Sequence, residues 1–319
     1  MGGASANGRR ERATAIGIGE AVERLRQEFP DVSISSLRFL EREGLLGPRR
    51  TAGGHRLFTQ DDLDRIRLIK RQQQQHRSLA EIRELLARRD AIGSPAEISA
   101  RFVQAIVARR AREAHAIIDE AGEVGVPYRT ICLNILTPAL VEIGELWARG
   151  VIDVAHEHLA SAVVRDLLAS LRRYEPPAPP TGRVAVAACA AYQRHELGLR
   201  MVAALLEQEG WYVHYLGADT PAPSAVLMAR ENAADMLLVS VGEPSERAYL
   251  EAIVAALQEL PAERRPRLVV GGRAAYAAST GLPVDLVTDS AEELLRWVAT
   301  LLPPGAPSPP DGATLARAT

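Results

Sequence analysis

Three kinds of hydrophobic spacing divide this chain. From residue 15 to residue 89, apolar positions recur at helical intervals in short runs broken by Gly and Pro. Ala21, Val22, Leu25 and Phe29 form one stripe, and Ile34, Leu37, Leu40 and Leu45 a second, which predicts two amphipathic helices facing one core. The turn "PDVS" separates them, and Ser35, Ser36, Arg38 and Phe39 are left at the exposed start of the second helix. This is a helix-turn-helix layout, in which the second helix enters the major groove through its N-terminal residues. "GPRRTAGGHRLFT" then breaks the period with paired arginines, a Gly-Gly turn and a short strand, a basic β-wing able to reach phosphates or the minor groove. Two more helices follow, the second opened by a capping signal, Ser78 with Glu81.

From 95 to 174 the helical period runs on with little turn chemistry. Val154, Glu157, His158 and Ser161 lie at i, i+3, i+4 and i+7, on a face that continues as Val164, Leu168 and Leu171. A carboxylate and an imidazole are therefore expected on the inward side, where a charge needs a partner. Trp147, ending the previous helix, can lie over the same cavity. Spacing alone allows either a satisfied Glu–His pair beside a core Trp or a lined ligand site.

From 183 to 302 the pattern alternates: "RVAVAAC", "WYVHYLG", "MLLVSVG", "RLVVGG" and "VDLVT", each followed by a helical run. Five strands alternating with five helices imply a doubly wound parallel sheet. Ligands of such sheets sit beyond the carboxyl ends of the strands. Gln193, His195 and Gly198 follow the first strand, Ser240 and Gly242 close the third, and Gly271 and Gly272 close the fourth. A loop histidine by itself is commonly surface decoration; its place on this rim makes His195 a ligand candidate. The fold class expected is multidomain α and α/β: a winged helix-turn-helix at 15–89, a four-helix bundle cap at 95–174 and a Rossmann-like (flavodoxin-like) sheet at 183–302. A proline-rich linker at 175–182 joins the last two, with a disordered 1–14 and a flexible tail at 303–319.

Composition narrows the class. The 319 residues include only two cysteines, far apart, so neither a disulfide framework nor a cysteine-rich metal site is expected, and the setting reads as reducing and cytoplasmic. The N-terminus has no apolar core of a signal peptide, and no apolar stretch is expected to span a bilayer. Charge is uneven: residues 1–89 carry 18 Lys and Arg against 12 Asp and Glu, the remainder 20 against 28. A basic head on an acidic body fits a nucleic-acid-binding end joined to another function.

The residues "LRFLEREGLLGPRRTAGGHRLFTQDDLDRIRLI" and "SLAEIRELL" resemble the MerR-family winged helix-turn-helix across 15–89. The resemblance implies double-stranded promoter DNA as partner and Ser35, Arg38, Arg49, Arg50, His55 and Arg56 as contacts. The family wing carries Gly-Tyr-Arg, where this chain has "GHR". Further on, "QRHELG", "SVG" and "GG" resemble the cobalamin-binding pattern Asp-x-His-x-x-Gly, Ser-x-Leu, Gly-Gly. By that resemblance His195 binds cobalt from below, and the nucleotide tail enters a slot walled by Ser240, Gly271 and Gly272. Two positions depart: Gln193 stands in place of the acid, and Gly242, with Glu243 beside it, in place of Leu, which leaves a hole and an unfilled charge in the slot.

Trp147, nine residues, then Glu157-His158 resembles the cap of the CarH/LitR-type cobalamin-dependent photoreceptor repressors. The resemblance implies that Trp147, Val154, Glu157 and His158 cover the upper corrin face, where the 5′-deoxyadenosyl group sits. The light-responsive members carry a histidine directly after that Trp; here it is Ala148, which leaves His156, His158, water or a different response. The function implied is a non-enzymatic repressor controlled by adenosylcobalamin, and by light through cobalt–carbon photolysis and a change of homo-oligomeric state (dimer or tetramer). Alternatives are a regulator sensing a bilin or haem in the same pocket, a ligand-free MerR regulator, and a corrinoid carrier subunit for methyl transfer.

Overall fold

The computed structural model describes residues 15–51 and 53–301; the expectations for 1–14 and 303–319 lie outside them. The chain forms two compact units, one from residues up to 94 with 123–127, the other from 95–122 and 128 onward.

In the first unit, β1 (Ile16–Gly17), β2 (Arg49–Arg50) and β3 (Arg56–Phe58) form an antiparallel sheet with β3 in the middle. Helices α1 (Ile18–Arg26), α2 (Ile34–Arg42), α3 (Gln60–Gln74) and α4 (Leu79–Ala91) enclose a core around Leu25, Leu37, Phe58, Ile66 and Ile82. Three of these helices open on reciprocal caps: Ser33 with Ser36, Thr59 with Asp62, and the expected Ser78 with Glu81. Ile34 departs from the expected core stripe and is 41% exposed. It is the first residue of α2, and its side chain leans toward the helix N-terminus, past the edge of the core.

The second unit joins a four-helix bundle to a parallel sheet. The bundle comprises α5 (Pro95–Val107), α6 (Ala111–Glu123), α7 (Tyr128–Ala148) and α8 (Val154–Ser170). Among the described residues α7 is long and apolar enough to cross a membrane by length and composition, with 21 residues and mean hydropathy 1.4, though Arg129, Glu142 and Glu145 interrupt its apolar run. Its apolar character is used within the bundle: Ile131, Ile135, Leu136, Ala139 and Ile143 are buried there. A π-helical turn interrupts it at Ile131–Leu136. Pro138 has no N–H to give to the preceding turn, and a widened turn upstream accommodates it. The Thr137 hydroxyl donates to the Cys132 carbonyl at 2.8 Å. Tyr128 is buried, and its hydroxyl donates to the Leu168 carbonyl at 2.9 Å, tying α7 to α8.

The sheet consists of β4 (Val184–Cys189), β5 (Tyr212–Gly217), β6 (Met236–Ser240), β7 (Arg267–Gly271) and β8 (Leu286–Val287). All neighbours are parallel, in the order β5-β4-β6-β7-β8. The helices between and after them are α9 (Leu197–Gln208), α10 (Ala222–Glu231), α11 (Arg247–Gln258), α12 (Ala275–Ser279) and α13 (Ala291–Leu301). Alternate residues Val186, Leu237, Val239, Leu268 and Val270 pack against Ala225, Leu250 and Ile253 of α10 and α11. Strand order reverses between β4 and β6, so the loops after those strands diverge and open a crevice. The proline-rich segment is fastened to this unit: Ala178 N–H donates to the Gln208 carbonyl and Thr181 N–H to the Gly210 carbonyl, each at 2.9 Å.

Tyr128→Phe removes the hydroxyl donor from a buried carbonyl while keeping the ring's packing. The expected loss is about 1 kcal/mol of unfolding free energy, measured by urea denaturation of the full chain.

Candidate functional site

The loop after β4 is shaped to present one ring. Tyr192 adopts a left-handed backbone (φ 68°), and its N–H donates to Asp219 Oδ1 at 2.7 Å. Asp219 N–H in turn donates to the Gln193 carbonyl at 3.1 Å. This folded turn buries Gln193 and aims its amide back at His195. Gln193 Oε1 accepts from the His195 backbone N–H at 2.8 Å and lies 2.9 Å from His195 Nδ1. An amide oxygen only accepts, so Nδ1 carries the proton and Nε2 keeps its lone pair. The ring itself is exposed. The next residue, Glu196, anchors the loop: its Oε2 accepts from Tyr215 Oη at 3.1 Å and Ala218 N–H at 3.2 Å, and its Oε1 lies 3.4 Å from Arg165 of α8. Burial pushes the Cys189 thiol at the end of β4 up to about 12, so it stays protonated and offers no thiolate.

Beside the loop, a cavity of about 410 Å³ opens at the carboxyl ends of β6 and β7. Gly198, Ser240, Gly271 and Gly272 line it, with Leu199, Val202 and Leu294 as an apolar wall; His195 and Gln193 are not among the lining residues. Gly272 needs its missing side chain twice over: φ is 99°, and a Cβ would stand 2.3 Å from the Val241 carbonyl oxygen. Leu133 of the π-helical stretch of α7, Thr137 just after it, and Thr288 and Asp289 after β8 also line it. The sequence reading missed these four. Thr288 and Asp289 were within reach, because they follow the fifth strand on the same rim; Leu133 and Thr137 gave no signal, because the π turn shifts their helical phase. Leu133 and Thr137 also line a second groove along α7, of about 720 Å³, with Val141, Glu142, Glu145 and Arg149.

Gly242 does not line the cavity, and the hole expected there is filled. A Cβ on Gly242 would lie 1.6 Å from Gln193 Nε2, so the Gln193 amide occupies that space. Nor is the Glu243 charge left over, since Glu243 pairs with Arg273 outside the slot.

On the bundle, Trp147 is 46% exposed and Val154 40%, and neither lines the cavity beside β6. Glu157 is half-buried; it accepts from Ser161 Oγ at 2.8 Å and lies 2.7 Å from His158 Nδ1. The expected inward imidazole is corrected: the His158 side chain is 74% exposed. His156 is the buried one, with Nδ1 3.1 Å from the Asp153 carbonyl oxygen and Nε2 facing Arg109 Nε at 3.3 Å. The buried stripe of α8 is wide, taking in Ala160 with Ser161, Val163 with Val164 and Leu167 with Leu168, but in its first turn only the His156 side is covered.

In the first unit, Ser35 and Arg38 stand exposed at the start of α2, and Arg49, Arg50 and His55 are exposed on the wing. Glu41 of α2 accepts from Arg56 Nε at 2.6 Å and from Arg50 Nη2 at 2.7 Å. The Arg56 guanidinium, and then that of Arg50, hold the Glu41 carboxyl below the usual carboxylate range. These two arginines therefore brace the wing against α2, while among the described residues Arg38 and Arg49 form no ion pair.

The chain matches the family description MerR HTH family regulatory protein over residues 18–89, and a B12 binding domain twice, over 98–172 and 183–296. It is 31% identical over 269 residues to the HTH-type transcriptional repressor CarH of Myxococcus xanthus, covering 78% of this chain and 87% of that one. It is 30% identical over 249 residues to CarA of the same organism, covering 75% and 81%. The dimethylamine corrinoid protein 2 of Methanosarcina acetivorans is 24% identical over 214 residues, 66% of this chain and 99% of that one. Among solved structures, the Methanosarcina barkeri monomethylamine corrinoid protein shares the fold, with TM-score 0.54 and 18% identity over 65% of this chain and 100% of that one. These matches and the fold define a MerR-type regulatory protein equipped with B12-binding domains. Within that class, the chain belongs to the CarH family.

The residues fit a cobalamin-type cofactor. One exposed imidazole, its Nδ1 already held, stands in the loop after β4, and a largely apolar slot opens on the same sheet edge at the ends of β6 and β7. A single imidazole donor with its Nδ1 held suits a metal whose remaining positions a macrocycle supplies.

Gly272→Ala is expected to destabilise the protein by about 1–3 kcal/mol more than Gly281→Ala. Gly281 has a similar left-handed φ of 76° but open space at its Cβ. Parallel denaturation of the two variants isolates the cost of the backbone approach at the slot.

Proposed function

We propose that this protein represses transcription from promoter DNA under the control of bound adenosylcobalamin, in the cytoplasm, with light as the releasing signal and oligomeric state as the switch. The observation that carries the cofactor reading is the His195 ring, with Nδ1–H given to Gln193 and a free Nε2 on the rim that holds Ser240, Gly271 and Gly272. In this reading His195 would hold the cobalt through Nε2, and the slot would take the nucleotide tail. Trp147, Val154, Glu157 and His158 would cover the group from the bundle. The relatives named CarH and CarA are transcriptional repressors, which supports the outcome proposed.

The charge along the α7 groove favours a corrinoid over a bilin or haem. Glu142 and Glu145 line it, with Arg149 as the one cation among its lining residues. The neutral amides rimming a corrin can donate to such carboxylates, whereas the propionates of haem and bilins are repelled by them. When bound, adenosylcobalamin supplies a cobalt–carbon bond that green light breaks. The chain's part is to hold the group on both faces and to change its own assembly when the upper face is released. His156 is tied into the bundle, so His158 is the α8 imidazole open to that face. DNA-reading modules brought together in an oligomer gain affinity through their effective concentration.

Size-exclusion chromatography of the full chain with adenosylcobalamin tests this directly. The expected result is a larger species in darkness, its collapse under green light, and no ligand-dependent shift for His195→Ala. An unchanged elution volume in every condition would exclude the cobalamin switch. On operator-length duplex, affinity is expected to fall steeply with salt, and Arg49→Ala to flatten the log–log slope by about 0.9 for one lost phosphate contact; an unaltered slope removes Arg49 from the interface.

A further inference from the structure

We propose that Glu246 is a positioning residue for His195, acting through the Gln193 amide, and that Gly242 provides the space this amide requires. Gln193, Gly242 and Glu246 then form one interlocked device; its importance for a metal rests on the cobalamin reading above.

The geometry closes on itself. Gln193 is 5% exposed, so its amide has little water to turn to. Its Oε1 faces His195 N–H and Nδ1, at 2.8 and 2.9 Å. Its Nε2 is directed at Glu246 Oε1, 3.4 Å away. The other Glu246 oxygen, Oε2, accepts from Gly242 N–H at 2.8 Å. Flipping the amide would set Nε2 against the His195 N–H, donor to donor, and Oε1 against a carboxylate, acceptor to acceptor. Both ends therefore select the same orientation, and that orientation places the imidazole proton on Nδ1. Glu246 thus reinforces, from a distance, the orientation that leaves the lone pair on Nε2.

Gly242 belongs to the device on steric grounds. A methyl group there, 1.6 Å from Gln193 Nε2, would expel the amide. Gln193 and Gly242, two separate oddities when only their residue types are considered, are one coupled pair. Glu246 keeps a carboxylate in the network, one step further from the ring.

The test uses the full chain without cofactor, at about pH 8.5, above the ordinary imidazole range near 6.5. Nitrogen-15 spectra of labelled histidine report which His195 ring nitrogen is protonated. Wild type is expected to show the Nδ1–H form, Gln193→Ala to lose it, Glu246→Ala to shift the population measurably toward the Nε2–H form, and Glu246→Gln, whose amide oxygen still accepts from Gln193 Nε2, to restore it. Urea midpoints supply a second readout. Gly242→Ala should lower the midpoint in the wild-type background and leave it unchanged in Gln193→Ala, where the colliding amide is gone. A His195 tautomer indifferent to Glu246, or a Gly242→Ala penalty equal in both backgrounds, would overturn the proposal. Visible spectra on adding hydroxocobalamin judge the site separately: no spectral shift with wild type counts against the cobalamin reading and leaves the relay standing on its cofactor-free data.

Discussion

The amide oxygen of Gln193, 2.9 Å from His195 Nδ1, holds the ring so that Nε2 is the nitrogen with a lone pair to offer. Much of the second unit converges on that contact. The reversal of strand order between β4 and β6 separates the loops that follow them, and the loop after β4 carries the ring. The left-handed turn at Tyr192, fastened through Asp219, sends the chain back so that Gln193 is buried and His195 is not. A left-handed non-glycine residue in a ligand loop is strain of the kind that pre-organised sites retain. Glu196 then stitches the loop to β5 through Tyr215 and to the bundle through Arg165. The ring is thus placed by a strand end, a strained turn and an ion pair reaching into the bundle.

The periodicities made most of this architecture legible. Each of the five apolar runs after 183 became a strand of one parallel sheet, because buried parallel strands leave an uninterrupted apolar signature. The rim set of His195, Gly198, Ser240, Gly271 and Gly272 could be read from strand ends alone, since a parallel sheet brings all its carboxyl ends to one edge. The Ser78 cap was equally plain, because capping is local chemistry.

What stayed hidden was whatever depended on a neighbour. Helical spacing placed His158 inward, but burial in the first turn of α8 is decided by what covers it, and it is His156 that is covered. Ile34 likewise satisfied the period and overhangs the core. Gly242 looked like a void because a glycine records only that a side chain is missing, not that Gln193 from a loop almost fifty residues earlier stands there. Glu246 carried no signal at all, lying in a 3₁₀ turn with no motif around it.

The π turn in α7 has a geometric consequence for everything after it. Each residue advances an α-helix by about 100°, so one extra residue in a turn swings the remaining helix by that angle. Trp147, three turns beyond Ile131–Leu136, owes its compass bearing to this widening. Losing a single amino acid from that stretch would therefore act as a torsion of the rod, turning the indole roughly a quarter-circle around its axis while scarcely altering its length.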